Sequence, residues 1–261
     1  MFLFEPPRTA GDLHFRLFGI PVRIHPFFWV SAVILGFRPG GTPPTELILW
    51  ILAVVVSILV HELGHAFMQR RYGGSPWITL HGFGGLASCD DCDNRPGPRI
   101  AIALAGPAAG FVLAAIVAAA VKLSGHVLGW TWSEGFPGAR AGLSESYGLR
   151  LLGGTLYWEP LGSPSANVLL GNMLQINIAW GVINLLPVYP LDGGQVMREL
   201  FTLRHPRRGI VASLRVSMMA AGAMALLGLL VWDRLYMAAL FGYLAYESYR
   251  GLQQYQAMTR W

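Results

Sequence analysis

A chain of 261 residues that is 54% hydrophobic and only 13% charged falls far short of the roughly 25% charged content of soluble domains. Its mean hydropathy of +0.46 points the same way, to an integral membrane protein. The net charge of +5 is modest and the arginines cluster by loop, which reads as membrane topology and excludes nucleic-acid binding, while two cysteines alone exclude a disulfide framework.

Residues 1 to 25 carry Glu5, Arg8, Asp12, Arg16 and Arg23, with no apolar core before a small-residue site, so no cleaved signal peptide is expected. Residues 13 to 24 partly alternate apolar and basic around Gly19 and Pro21; this predicts a short β-hairpin at the membrane surface. Phe27 to Phe37 is apolar but shorter than the roughly 20 residues of a span. It reads either as a tilted crossing or as a re-entrant piece. Arg38-Pro39-Gly40-Gly41-Thr42-Pro43-Pro44 is a turn-rich break.

Residues 46 to 69 form a span closed by Arg70-Arg71. In the following loop, residues 77 to 87 have strand character broken by glycines, among them Gly84 and Gly85. Such a strand suits an edge to which another extended segment adds, or equally an ordinary surface hairpin. Residues 99 to 123 are the next span, in which Gly106-Pro107 and Gly110 allow close helix contact. Residues 124 to 165 read as a polar loop of about 42 residues, too short for an inserted domain of the usual size. Its Trp130, Trp132 and Trp158 fit an interfacial belt. Further spans are expected at 166 to 187, 209 to 231 and 235 to 247.

The fold class that follows is an all-α polytopic membrane protein with about six transmembrane segments and short membrane-associated strands near 13–24 and 77–87. Residues 1 to 261 read as one domain, with a core over 18–200 and C-terminal helices over 209–249. With six crossings, Arg8, Arg16, Arg23, Arg70, Arg71 and nine further arginines fall on one side. Arg38, Lys122, Arg140, Arg150 and Arg234 fall on the other. Basic loops stay cytoplasmic, which puts both termini inside. A re-entrant first run would move Arg8, Arg16 and Arg23 across and weaken the asymmetry.

The chemistry concentrates in His61-Glu62-Leu63-Gly64-His65. Residues four apart share a helix face, so His61 and His65 can offer two imidazoles to one metal ion, with Glu62 placed to act on water there. Glu62 is the only acidic residue between Leu47 and Met68, and an ionisable group in a span is costly without a partner or a function. A catalytic zinc wants a third protein ligand. Asp192 in Asn184-Leu-Leu-Pro-Val-Tyr-Pro-Leu-Asp-Gly-Gly194 is chosen over Asp90, Asp91 and Asp93. The histidines lie about 12 Å inside the Arg70 end of their helix. Pro187 and Pro190 break the incoming span on that same side, and Gly193-Gly194 permit a sharp turn back. The alternative for Asp192 is a helix cap. Asn184 either holds a substrate carbonyl or developing oxyanion, or bonds a neighbouring helix. Cys89-Asp-Asp-Cys92 reads as loop residues with reduced thiols and no metal. His25 and His81 stand near membrane entry, as satisfied polar residues or beside the site.

These motifs resemble the site-2 protease family of intramembrane metalloproteases. The resemblance rests on His61-Glu62-Leu63-Gly64-His65 and on Asn184-Leu-Leu-Pro-x-x-Pro-Leu-Asp192-Gly. The Gly82-Phe-Gly-Gly85 strand, Ala105-Gly106-Pro107 and Ile20-Pro-Val-Arg-Ile-His25-Pro agree with it. It implies one Zn2+ held by His61, His65 and Asp192, Glu62 as general base, and cleavage of a membrane protein substrate within its transmembrane helix. Gly84, Gly85 and Asn184 would contact that substrate. The chain is similar to compact members, without room for a PDZ module and without a C-terminal CBS domain. The rival reading is a non-proteolytic zinc-binding membrane protein, for transport or partner binding. Oligomeric state stays open.

Overall fold

The computed structural model describes residues 5–38, 40–132, 143, 145–151 and 153–258. Of the residues named above, Pro39 and Arg140 lie outside them, as does Arg260, one of the nine further arginines. The chain opens with a hairpin, β1 (Leu13–Leu17) and β2 (Ile20–Ile24). Its two-residue turn, Phe18-Gly19, has positive φ at both positions, the twist that tight hairpins require. An 11-residue helix α1 (Pro26–Gly36) follows, with Pro26 in its first turn and the His25 side chain accepting from Phe27 N–H. Then comes the 28-residue α2 (Pro44–Arg71), about 42 Å long. Gly36 lies against Leu47 and Trp50, and Trp50 Nε1 donates to Ala32 O at 3.0 Å, so α1 folds back antiparallel along the first half of α2.

From the end of α2 the chain enters a second hairpin, β3 (Trp77–His81) and β4 (Gly84–Ser88). The two hairpins join into one sheet in the order β1-β2-β3-β4, with β2 and β3 parallel and Val22 opposite Ile78. Both expected strand regions are therefore present. Their union is a tertiary fact: residues on either side of the α1–α2 excursion end in one sheet. Arg70 Nη1 donates to Phe18 O at 2.9 Å across the join. Arg23, buried in β2, places its guanidinium on Glu5 at 2.9 Å and on Asp12 at 3.0 Å. A buried cation so paired avoids an uncompensated charge. Hydrogen bonds from Thr9, then the Arg23 guanidinium, hold the Asp12 carboxyl well below its usual range.

Helix α3 (Pro96–Leu123) carries Pro107 inside it. The described residues between 124 and 165 do not form the plain polar loop expected from sequence. They hold a second antiparallel sheet of β5 (Leu128–Thr131), β6 (Tyr147–Leu151) and β7 (Gly154–Trp158), in the order β5-β7-β6. Trp158 is not part of an exposed belt. It is 3% exposed, packed with Val121, Leu170 and Leu174, and its Nε1 donates to Asn167 Oδ1 at 3.1 Å. Burying the ring satisfies its apolar body and the bond satisfies its N–H. Trp130 and Trp132 do remain exposed.

Helix α4 (Pro164–Asn184) ends at the proline-rich turn, α5 (Asp192–Arg204) starts at the aspartate, and α6 (Pro206–Leu230) and α7 (Leu235–Met258) pack together. Among the described residues four helices are long and apolar enough to cross a membrane: α2, α3, α4 and α6 from Arg208. These make a multi-pass membrane protein. The expected first and last crossings fall on helices that do not meet both conditions. α1 is apolar but short, and α7 is long but dilutes its apolar first half with Glu247, Arg250 and the glutamines that follow.

Candidate metal centre

His61 and His65 stand one turn apart on α2, both under 10% exposed. Their Nε2 atoms are 3.2 Å apart. The Asp192 carboxylate closes the triangle, with Oδ2 3.1 Å from His61 Nε2 and Oδ1 3.4 Å from His65 Nε2. Two residues 131 apart in sequence are thus joined. The three form one of two groups, among the described residues, that could hold a metal ion.

The donors fit zinc. Ligands at about 2.0–2.1 Å in a tetrahedron stand roughly 3.3 Å from one another, and the three separations run from 3.1 to 3.4 Å. His65 Nδ1 lies 2.7 Å from Ile102 O. It must be the donor there, which leaves Nε2 with its lone pair toward Asp192 and fixes the ring. The space over both rings is kept by Gly106 of α3, where a Cβ would lie 2.2 Å from His65 Nε2 and 2.8 Å from His61 Nε2. Gly64 performs the same service between helix backbones, since its Cβ would meet Ala105 O at 2.4 Å.

Asp192 reaches the histidines as the turn chemistry suggests. The Tyr189–Pro190 peptide is cis. A Cβ on Gly193 would lie 2.1 Å from Leu185 O, and one on Gly194 2.4 Å from Val188 C, so the start of α5 packs onto the turn without side chains between. Ser217 Oγ of α6 accepts from Tyr189 N–H at 2.7 Å and holds that turn from behind. Asp192 is the first residue of α5, and no side chain caps that helix. The capping alternative is therefore not what its carboxylate does.

Glu62 is 5% exposed and lies beside the imidazoles, against β4. A Cβ on Gly85 would sit 2.3–2.6 Å from the Glu62 carboxyl end; only glycine lets strand and carboxylate approach. The Ala87 backbone also hydrogen-bonds Glu62. Gly84, with φ +130°, faces the Trp180 ring. Asn184 is buried, but its Nδ2 donates to Trp180 O on its own helix at 3.0 Å. The helix-to-helix bond is made by Asn177 instead, from Nδ2 to Ser57 Oγ at 2.8 Å. His25 and His81 are buried at the ends of neighbouring strands, each accepting a backbone N–H two residues on. Neither joins the metal group.

The second group is Cys89, Asp91 and Cys92. The two cysteines are disulfide-bonded with Cα atoms 5.7 Å apart, which corrects the expectation of free thiols. The loop turns back on itself as Asp91 accepts from Ser75 N–H and Oγ at 2.7 and 2.9 Å. The sulfurs then sit over Gly74.

Sequence reasoning missed Gly106 and the Ile102 carbonyl as parts of this site. Gly106 reads from sequence as a small residue suited to helix packing and within a stretch that agrees with the family resemblance; its closeness to both histidines depends on how α3 crosses α2.

The model of Peptidase family M50 matches residues 49–229. A putative zinc metalloprotease of Synechocystis sp. is 29% identical over 82% of this chain and 52% of its own length. A zinc metalloprotease of Methanocaldococcus jannaschii is 24% identical, over 83% and 52%. Stage IV sporulation protein FB of Bacillus subtilis is 24% identical, over 72% and 50%. The chain spans about half the length of the curated relatives it matches. A solved structure, of the site-2 protease from Methanocaldococcus jannaschii, shares the fold with a TM-score of 0.56 at 19% identity, covering 92% of this chain and 95% of that one. The family match takes in His61, Glu62, His65 and Asp192 and extends over well more than half of the 261 residues, and the chain belongs to peptidase family M50.

Proposed function

We propose that this protein is a zinc-dependent intramembrane endopeptidase that cuts the transmembrane segments of other membrane proteins. The observation that carries the reading is the buried His61–His65–Asp192 triangle with Glu62 beside it, set on a helix long and apolar enough to span a bilayer. In this reading His61, His65 and Asp192 hold the metal. When bound, zinc supplies Lewis acidity toward a carbonyl oxygen and lowers the pKa of water. Glu62 takes a proton from the attacking water and returns it to the leaving amine. The buried setting excludes bulk solvent and strengthens each of these charge interactions.

A helical substrate shields its carbonyls, so it must unwind before cleavage. β4 lies at the edge of its sheet with Gly84 and Gly85 next to the site, and the unwound segment adds to it as a further strand. Asn184, at the end of α4, holds a substrate carbonyl. Residues 18–200 are the catalytic core, backed by α6 and α7. Both termini are cytoplasmic. The sheet supports this, because it keeps Arg16 and Arg23 together with the Arg70 end of α2, the arrangement with the sharper charge asymmetry.

The test is Glu62→Gln in the full chain, reconstituted in lipid with single-span substrate proteins. Zinc content should stay near one per chain while cleavage falls to background. Cleavage that persists ends the reading, and metal-dependent transport or partner binding that survives Glu62→Gln favours the non-proteolytic alternative.

A further inference from the structure

The edge of β4 is not open along its whole length. In an antiparallel pair, alternate residues turn their backbone N–H and C=O outward. Gly85 and Ala87, opposite Leu80 and Ile78, turn the same way. At Ala87 both groups are engaged by α2: the N–H by Glu62 and the carbonyl by Gln69, whose Nε2 donates to it at 3.1 Å. Gln69 lies one turn past His65, on the face that carries both histidines. It is 7% exposed, and its Oε1 is buried with no hydrogen-bond partner. A primary amide bound to a strand edge through its N–H presents the donor that an added strand would present there.

We propose that Gln69 is a specificity-determining residue, the stop that sets the register of a substrate strand on β4. The proposal rests on the reading of β4 as the strand to which substrate adds. With the Ala87 carbonyl already occupied, the added strand pairs at Gly85, next to Glu62, and runs no further along the edge. The Gln69 Oε1 accepts the one substrate N–H that would otherwise have met the Ala87 carbonyl. Side chains alternate along a strand, so the slip that keeps faces matched is two residues. The scissile bond is thereby fixed against the histidine pair by an amide seven residues beyond Glu62.

The experiment maps cut sites by mass spectrometry on a single-span protein that the full-length wild type cleaves in vesicles. The variants are Gln69→Ala and Gln69→Leu, the latter keeping most of the volume. Zinc content and thermal midpoint are measured alongside to report folding. Both variants are expected to keep zinc, to lose less than about tenfold in turnover, and to add a second cut two residues from the wild-type site. A single unmoved cut in both folded variants overturns the proposal, because a residue that merely supports packing lowers the rate without moving the site. If no single-span protein is cut by wild type, or cutting survives Glu62→Gln, the proposed function fails and this inference falls with it.

Discussion

The two sheets sit at opposite ends of α3. The four-stranded sheet is bonded to the helix that carries the histidines, through Gly85 against Glu62, Gln69 on Ala87 and Arg70 on Phe18. The three-stranded sheet packs on Val121, Leu170 and Leu174. Val121 is 15 residues along α3 from Gly106, about 22 Å away. Both sheets are small, antiparallel in most of their pairs, and built around glycines with no room for a Cβ. In one sheet a glycine makes room for the Glu62 carboxylate beside the histidines; in the other it makes room for an indole ring. The same residue type at the same kind of contact thus carries opposite functional weight, decided by what lies across the gap.

A matched pair of substitutions breaks this comparison most directly. Gly85→Val would drive its side chain into Glu62 and should lower cleavage by about 100-fold or more with zinc retained. Gly154→Val would meet the Trp130 ring. It should cost about 1–3 kcal/mol of local stability while cleavage stays within about threefold. Equal losses of activity in the two variants would erase the distinction between the sheets.

The wall facing the four-stranded sheet across the histidines gives the next largest effect. Gly106→Ala places a methyl group where the two imidazoles converge and should weaken zinc binding by at least about tenfold, read by competition with a chelator. Unchanged affinity would mean that α3 stands farther from the metal than the geometry says. Trp158→Phe removes the bond to Asn167 in the distal sheet. It should cost about 1 kcal/mol of stability and leave both zinc affinity and cut sites alone.

The smallest effect concerns residues 5 to 12, strapped to the proximal sheet. Glu5, despite partial burial, is held low by bonds from Thr79, Trp77 and Arg23, and Asp12 by bonds from Thr9 and Arg23. Carboxyls depressed in the folded state stabilise it above their unfolded values and lose that contribution as pH falls through the folded ones. Limited proteolysis of the strap should therefore not change from about pH 7 to about pH 5. It should accelerate only below the ordinary carboxyl values of 4.5 and 3.8. Release at neutral pH would show that these pairs do not hold it.

The same contrast explains what was legible in the sequence. The proximal hairpins announced themselves by alternation and glycine breaks, and the histidine pair and Asp192 by spacing, proline breaks and a shortage of other acids. The parallel pairing of β2 with β3 was not legible, because it joins residues on either side of two helices. The distal strands carry glycines and aromatics on both faces and no alternation, so residues 124–165 read as loop. Trp158 was misjudged because a tryptophan near a span end is apolar enough for lipid and for core alike, and only Asn167 across from it decides. Cys89 and Cys92 were read as thiols from their compartment, whereas Asp91 and Ser75 fold their loop so that the sulfurs meet.

The central claim is that one zinc ion is held by two imidazoles and the carboxylate of Asp192. Among the described residues two groups bring such donors together, one of nitrogen and oxygen donors and one that would offer the sulfurs of Cys89 and Cys92 only after reduction of their disulfide. X-ray absorption at the zinc edge of the purified full chain distinguishes them. The account requires only nitrogen and oxygen neighbours at about 2.0–2.2 Å, with the signal lost in Asp192→Ala. A sulfur shell at about 2.3 Å, or zinc retained unchanged in Asp192→Ala, would contradict it.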